Sequence, residues 1–346
     1  MRPRRVLVTG VSRPLGADVA RALAASPQIE TVIGVDTIPP GDDLGRTRFV
    51  RADIRNPLIA KVIGTAGIDT VLHLNLIANP VVAGGRTAMK EINVIGTMQL
   101  LAACQKSETV NRLVVRSTTT IYGSSSRDPA LFTEDMEPRQ LPRGGYGKDA
   151  VEVEGYVRGF SRRRPDIAVT VLRFANILGP GVDSPLARYF EFPIVPTVLG
   201  FDPRIQLLHS SDALAVLLRA AAGGHAGTFN VAGDGILLLS QAVRRSGRPP
   251  IPVPFPAVSS LSRLASRLHV ADFPPEQVGF LAHGRAVDTT RLREVFGYTP
   301  RYTTAAAFDS FVRERGLRPT IDPERVVRAE NMLLGLMARR RLVGAP

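Results

Sequence analysis

Arg5-Val6-Leu7-Val8-Thr9-Gly10-Val11-Ser12-Arg13-Pro14-Leu15-Gly16 is the stretch that decides the fold. A short apolar run ends in Thr9-Gly10, and an amphipathic run carrying Leu15, Val19, Ala20 and Leu23 follows it. The pattern predicts a strand, a tight turn and a helix N-terminus, where backbone N–H groups and the helix dipole can hold a pyrophosphate. Twenty residues past Gly16 a second apolar run, Thr31-Val32-Ile33-Gly34-Val35, ends in Asp36. An acid at that distance can accept the 2′ and 3′ hydroxyls of an adenosine ribose. Gly10 and Gly16 fit this pattern, whereas Arg13 stands where its middle glycine is expected.

Outward from that turn, strand-like and helix-like segments alternate up to about Asn176. Strands are predicted at Val6–Val8, Val32–Val35, Thr70–Leu74, Leu113–Ser117 and Val169–Phe174, with helices at Leu15–Ala25, Pro57–Gly64, Thr87–Gln105 and Gly147–Arg162. The strands are nearly continuous apolar runs, as a parallel sheet covered on both faces requires. The fold class is therefore α/β, a Rossmann-type doubly wound parallel sheet with a smaller, interleaved C-terminal substrate domain. The expected division is 1–178 for the sheet domain, with 209–234 (helix Ser211–Ala222, strand Thr228–Val231) returning to it. Residues 179–208 and 235–318 would form the substrate domain, and 319–346 a basic helix or tail. The proline run at 249–254 reads as an extended connector.

The chain of 346 residues is long enough for a substantial core. Its one cysteine, Cys104, excludes an internal disulfide and fits a reducing compartment. Met1-Arg2-Pro3-Arg4-Arg5 carries no signal pattern and no apolar run is long enough to span a bilayer, so a cytoplasmic location is expected. A net charge of +13 raises the question of nucleic acid, but 6% aromatic residues and no tryptophan leave few stacking platforms. A phosphorylated small-molecule substrate accounts for the charge more simply. The segment Pro323 to Leu342 has an apolar face of Val326, Val327, Met332, Leu333, Leu336 and Met337 among basic residues. It suits packing on its own domain, a partner subunit, or peripheral contact with a membrane surface. No metal-ligand set is identified.

Further motifs follow in order. Ala52-Asp53-Ile54-Arg55 comes after Asp36; alone, Asp53 would read as a helix cap. Val71-Leu72-His73 ends a strand, where an isolated histidine would be a core residue, and Leu74-Asn75-Leu76 makes the wall behind it bulky. Asn93-Val94-Ile95-Gly96-Thr97 lies on a helix. Thr118-Thr119-Thr120-Ile121-Tyr122-Gly123 closes a strand, Tyr146-Gly147-Lys148-Asp149-Ala150 opens a helix, and Arg173-Phe174-Ala175-Asn176-Ile177-Leu178-Gly179-Pro180 follows. His209-Ser210-Ser211-Asp212, Thr228–Gly233, Asp288–Arg291 and Phe296–Pro300 come later.

In this order and spacing the motifs resemble the extended short-chain dehydrogenase/reductases of the NAD-dependent epimerase/dehydratase type, the group that includes UDP-glucose 4-epimerase, from about Arg5 to Tyr302. The resemblance implies an oxidoreductase acting on a nucleotide sugar or related hydroxyl substrate, with NAD as cofactor. Asp36 disfavours NADP, because a carboxylate repels a 2′-phosphate. It also implies a homodimer through the helices Thr87–Gln105 and Gly147–Arg162. Catalytic roles fall on Tyr146 and Thr118. Gly10, Arg13, Gly16, Asp36, Asp53, Ile54, His73 and Asn93 fall on the cofactor side, Asp53 at the adenine amino group and Asn93 as a brace near the site. Asn176 would meet the substrate; Arg173 would brace its strand.

One departure bears on catalysis. Four residues after Tyr146 the family carries a lysine; here Ala150 stands. An unperturbed phenol has a pKa of about 10 and is a poor base at neutral pH, and the family lysine lowers it as a nearby cation. Lys148 is no replacement, because i+2 lies about 200° round a helix. The alternative function is thus a dinucleotide-binding sensor or scaffold with weakened catalysis.

Overall fold

The structure, a computed structural model, describes residues 4–138, 140–142, 145–255 and 275–317. Seven strands form one sheet: β1 (Arg5–Thr9), β2 (Thr31–Asp36), β3 (Arg48–Arg51), β4 (Thr70–His73), β5 (Arg112–Thr118), β6 (Ala168–Phe174) and β7 (Gly227–Val231). Their order is β7-β6-β5-β4-β1-β2-β3 and every pairing is parallel. The winding reverses between β1 and β4, and it is outside the carboxyl ends of the strands at such a point that open α/β sheets bind ligands.

Alternation along each strand sends its side chains into two separate apolar layers. On one face Leu113, Val115 and Val171 pack with α2 (Leu58–Ala66), α3 (Gly96–Lys106) and α4 (Gly145–Arg163) through Ile59, Ile63, Leu100, Val153 and Val157. On the other, Val6, Val8, Val114 and Leu172 pack with α1 (Pro14–Ala25) and α5 (Ser210–Ala222) through Val19, Ala20, Val216 and Leu217. A third cluster is built on Tyr189, Phe190, Ile205, Leu207, Phe308 and Phe311, the last two from α6 (Thr304–Glu314). No helix among the described residues is long and apolar enough to cross a membrane.

Three expectations change. The helix predicted over Thr87–Gln105 is broken into Arg86–Lys90, a π-helical turn at Glu91–Ile95, and α3. The widened turn lets the Asn93 amide close a pair of hydrogen bonds with the Ile77 backbone, at 2.8 and 2.9 Å. Strand β3 has no counterpart in the sequence reading, because it is a sheet edge with arginines at both ends rather than an apolar run. The proline run is extended, as expected, but Pro250–Val253 pairs in parallel with Val195–Val198. Val195 donates to Pro249 O and Leu199 to Val253 O, so these bonds draw on carbonyls of the proline run and need no proline N–H. The segment Pro323–Leu342 lies outside the described residues.

Buried polar groups tie the layers together. Arg173 donates to both oxygens of Glu154, at 2.7 to 3.2 Å, and also to the Tyr122 hydroxyl and Glu134 O. Asp212, at the start of α5, accepts from the Tyr298 hydroxyl and from the N–H groups of Arg301 and Tyr302.

Candidate active site

The first turn is built for close approach. Gly10 has φ of +81°, and a Cβ on Gly16 would lie 2.1 Å from Gly10 O, so any larger residue would push α1 off the turn. Pro14 carries no N–H and no side chain caps α1. The first N–H groups of the helix therefore have no partner from the side chain of the capping residue. Asp36 ends β2 beside them, one carboxylate oxygen accepting from the N–H (3.1 Å) and hydroxyl (2.5 Å) of Ser12, the other from Thr37 N–H (2.8 Å). The Thr37 hydroxyl adds a fourth, longer bond at 3.5 Å; a carboxylate has about four acceptor sites, so a ribose hydroxyl would take the place of this one.

Across the crevice, Thr118 ends β5 and its hydroxyl accepts from Thr120 N–H at 3.1 Å. Tyr146, in the first turn of α4, is half-buried and its phenol lies beside Thr118. Burial pushes the Tyr146 phenol above its ordinary value, while Arg116, Thr118, Arg13 and Arg285 pull it back. Arg285 is held by the loop after β5: its guanidinium donates to Gly123 O at 2.7 Å and to Thr120 Oγ1 at 3.2 Å. The structure thus brings Tyr146, Thr118 and Arg13 together, and adds Arg116 and Arg285, which sequence reasoning missed. Arg285 lies three residues before the Asp288 motif, a signal that could have drawn attention to it. Arg116 offers only its place two residues before Thr118.

The other expected residues are more dispersed. Asp53 is taken by the Arg55 guanidinium (2.7 to 3.1 Å), which holds its carboxyl below the usual range. Ile54 is buried in the apolar layer, and its side chain fills the space that a Cβ on Gly96 would need. Asn93 bonds the Ile77 backbone and Asp149 Oδ2, the latter at 3.1 Å. Asn176 opens a short strand, Asn176–Leu178, paired with Leu207–His209. Ala150 is wholly buried in the apolar layer. Among the described residues no group of histidine, cysteine and acids is placed to hold a metal ion.

Both ring nitrogens of His73 are engaged, Nδ1 with Thr9 Oγ1 at 2.9 Å and Nε2 with Thr97 Oγ1 at 2.8 Å. Thr97 donates its own hydrogen to Asn93 O, so Nε2 is the donor, while the Thr9 hydroxyl, which accepts from Leu74 N–H, has its hydrogen for Nδ1 and the ring is assigned as neutral. Burial lowers its pKa to about 4. Between that value and the unfolded value of about 6.5 the unfolded chain binds a proton that the folded chain does not. Stability is therefore complete above the unfolded value and falls as pH drops towards 4, by about 3 kcal/mol in all. Thermal unfolding followed from neutral to acidic pH checks this, and the His73→Asn variant should show a shallower dependence. Equal slopes in the two proteins would refute the assignment.

Several polar atoms around the crevice are buried without a hydrogen-bond partner: Arg13 Nε, Arg116 Nε and Asn75 Oδ1. Asn75 adjoins the first turn, since a Cβ on Gly10 would lie 3.2 Å from its backbone. Unpaired buried guanidinium groups are costly and are well matched by a phosphate. The residues present therefore fit a dinucleotide with a pyrophosphate at the turn and a ribose at Asp36.

The comparisons with known proteins agree with this geometry. The sequence profile of the NAD dependent epimerase/dehydratase family matches residues 6–232. An uncharacterized protein of Mycobacterium tuberculosis is 51% identical over 341 residues, 97% of this chain and 91% of that one. The fold is similar to UDP-glucose 4-epimerase of Thermotoga maritima, with a TM-score of 0.70 and 19% identity over 91% of this chain and all of that one. It is also similar to dTDP-glucose 4,6-dehydratase of Bacillus anthracis in complex with NAD, with a TM-score of 0.68 and 18% identity over 90% of this chain and 96% of that one. The chain belongs to the NAD-dependent epimerase/dehydratase family, an extended short-chain dehydrogenase/reductase.

Proposed function

We propose that this chain binds NAD across the carboxyl ends of β1, β2 and β4 and acts on a hydroxyl of a nucleotide sugar. The observation that carries the reading is the placement of Tyr146 beside Thr118 at the carboxyl end of β5, among Arg13, Arg116 and Arg285. Gly10, Gly16 and the N-terminus of α1 would receive the pyrophosphate, Arg13 would add a guanidinium to it, and Asp36 would take the ribose hydroxyls. When bound, the nicotinamide supplies a hydride acceptor and donor. As the phenolate, Tyr146 would take the proton of the reacting hydroxyl, and Thr118 would fix that oxygen by a hydrogen bond. Arg285 and Asn176 lie on the side of the third apolar cluster and face the nucleotide's anionic groups in this reading. Residues 179–208 and 235–318 would then serve as the substrate domain, and a homodimer would use α3 and α4, near which Ile95, Met98 and Tyr156 are exposed.

The test is turnover of UDP- and dTDP-hexoses by the purified protein, with the products resolved by chromatography. Conversion of one of them supports the reading, and none across the panel contradicts it. Ala150 favours a second reading, a dinucleotide-binding sensor or scaffold in which chemistry has faded. Rapid turnover on any nucleotide sugar would eliminate that alternative.

A further inference from the structure

The short strand Gly284–Arg285 reaches across to the turn that follows β5 and holds it through one guanidinium. A Cβ on Gly284 would collide with Arg204 O, so this strand lies pressed against Arg204–Ile205, with which it pairs. Just beyond it, Ala286 O accepts from Phe132 N–H at 3.0 Å and Asp288 N–H donates to Phe132 O at 2.8 Å. Arg285 therefore leaves a backbone pinned on both sides, and its guanidinium lies over the Phe280 ring at 5.3 Å. From there it donates to Gly123 O at 2.7 Å, to Thr120 Oγ1 at 3.2 Å, and to Thr119 Oγ1 and Ser124 Oγ at 3.3 Å each.

The bond to Thr120 continues to Thr118. Thr120 Oγ1 also accepts the Thr118 hydroxyl hydrogen, at 3.0 Å, and Thr120 N–H donates back to Thr118 Oγ1 at 3.1 Å. A hydroxyl oxygen has two lone pairs. Those of Thr120 meet Arg285 and Thr118, which fixes where this oxygen stands. The Thr118 hydroxyl is in turn held through its hydrogen and one of its lone pairs, so its direction follows that of Thr120. A guanidinium stays charged and can only donate, so the chain of bonds runs one way.

We propose that Arg285 is a positioning residue for Thr118, acting through Thr120, so that a strand of the substrate side sets the direction of the hydroxyl at the carboxyl end of β5. The inference rests on Thr118 as the hydroxyl that fixes the reacting oxygen, proposed above. It gives Arg285 work beyond facing an anionic group of the nucleotide. The two roles part in kinetics: a lost anion contact weakens binding, whereas a misdirected Thr118 slows the chemical step.

The test is nuclear magnetic resonance of the full chain, without cofactor, labelled with carbon-13 at the threonine methyls, whose couplings to the backbone report χ1. Thr118→Ser and Thr120→Ser identify the two resonances. The wild-type chain should hold Thr118 in one rotamer, and Arg285→Met should let it populate a second. Thr120→Val, which keeps the shape and removes the accepting oxygen, should do the same. Arg285→Gln carries the same expectation as Arg285→Met should the latter fail to fold. A single Thr118 rotamer persisting in folded Arg285→Met or Arg285→Gln overturns the inference. Kinetics on a nucleotide sugar supplies the second readout. There kcat should fall about tenfold or more in Arg285→Met and in Thr120→Val, with KM held within about threefold. The double variant should lose little more than either single one, because the two act in one chain. A raised KM with kcat kept, or losses that multiply in the double variant, would sink this inference alone. Freed Thr118 rotamers without any nucleotide-sugar turnover would sink the enzymatic reading and leave this one standing.

Discussion

Replacing Tyr146 by Phe should lower kcat on a nucleotide sugar by at least about a hundredfold while leaving NAD affinity within about a factor of three, since a positioned acid–base group contributes roughly 10²–10⁴ in rate. The phenol lies beside Thr118, with Arg116, Arg13 and Arg285 around it. The substitution keeps the ring and removes the single oxygen, so α4 and its packing are retained. Steady-state kinetics beside a calorimetric NAD titration separates the two quantities. Turnover that survives within about threefold would show that another group moves the proton.

The largest expected effect on stability comes from Arg173→Ala. The guanidinium makes five hydrogen bonds, three of them to Glu154, and lies over the Tyr122 ring at 5.2 Å. Without it Glu154, only 3% exposed, keeps the Ser117 hydroxyl at 2.6 Å as a donor and the exposed Arg158 guanidinium at 3.9 Å but loses its buried counter-charge. Removing one partner of a buried pair costs about 3–5 kcal/mol, because the remaining charge is left in a poorly solvating interior. Urea unfolding of the variant should show a loss of that size, and Arg173→Ala with Glu154→Gln should recover part of it. A loss below about 1 kcal/mol would mean that water reaches Glu154 and that the pair is not a structural brace.

Much of the framework could be read from residues alone, because it depends on local pattern. The apolar runs of β1, β2, β4, β5 and β6 are buried on both faces and announce themselves; β3 is an edge and does not. The first turn was legible since Gly10 and Gly16 are forced by sterics within a few residues of each other. Arg173 also braces its strand as expected, through bonds to Glu154 on α4, to the Tyr122 hydroxyl and to the loop carrying Glu134. The break at Glu91–Ile95 was invisible because the pairing that accompanies it, Asn93 with Ile77, spans 16 residues. Arg116 and Arg285 were invisible for a related reason. Their meaning is electrostatic and arises only when β5, α4 and the strand Gly284–Arg285 converge on one tyrosine. Arg13 was visible as a departure from the glycine pattern, but its place beside Tyr146 and Arg116 required the fold.

The central claim is that a nicotinamide dinucleotide occupies the crevice despite the arginine in its glycine-rich turn. Isothermal titration of the purified full chain with NAD tests it most directly. The account predicts saturable binding of one NAD per chain, weakened about ten- to a hundredfold in Arg13→Ala, as the loss of a charge-assisted hydrogen bond entails. No binding of NAD or NADP by the wild-type chain, with binding appearing in Arg13→Ala, would show that the guanidinium closes the crevice, and would contradict the account.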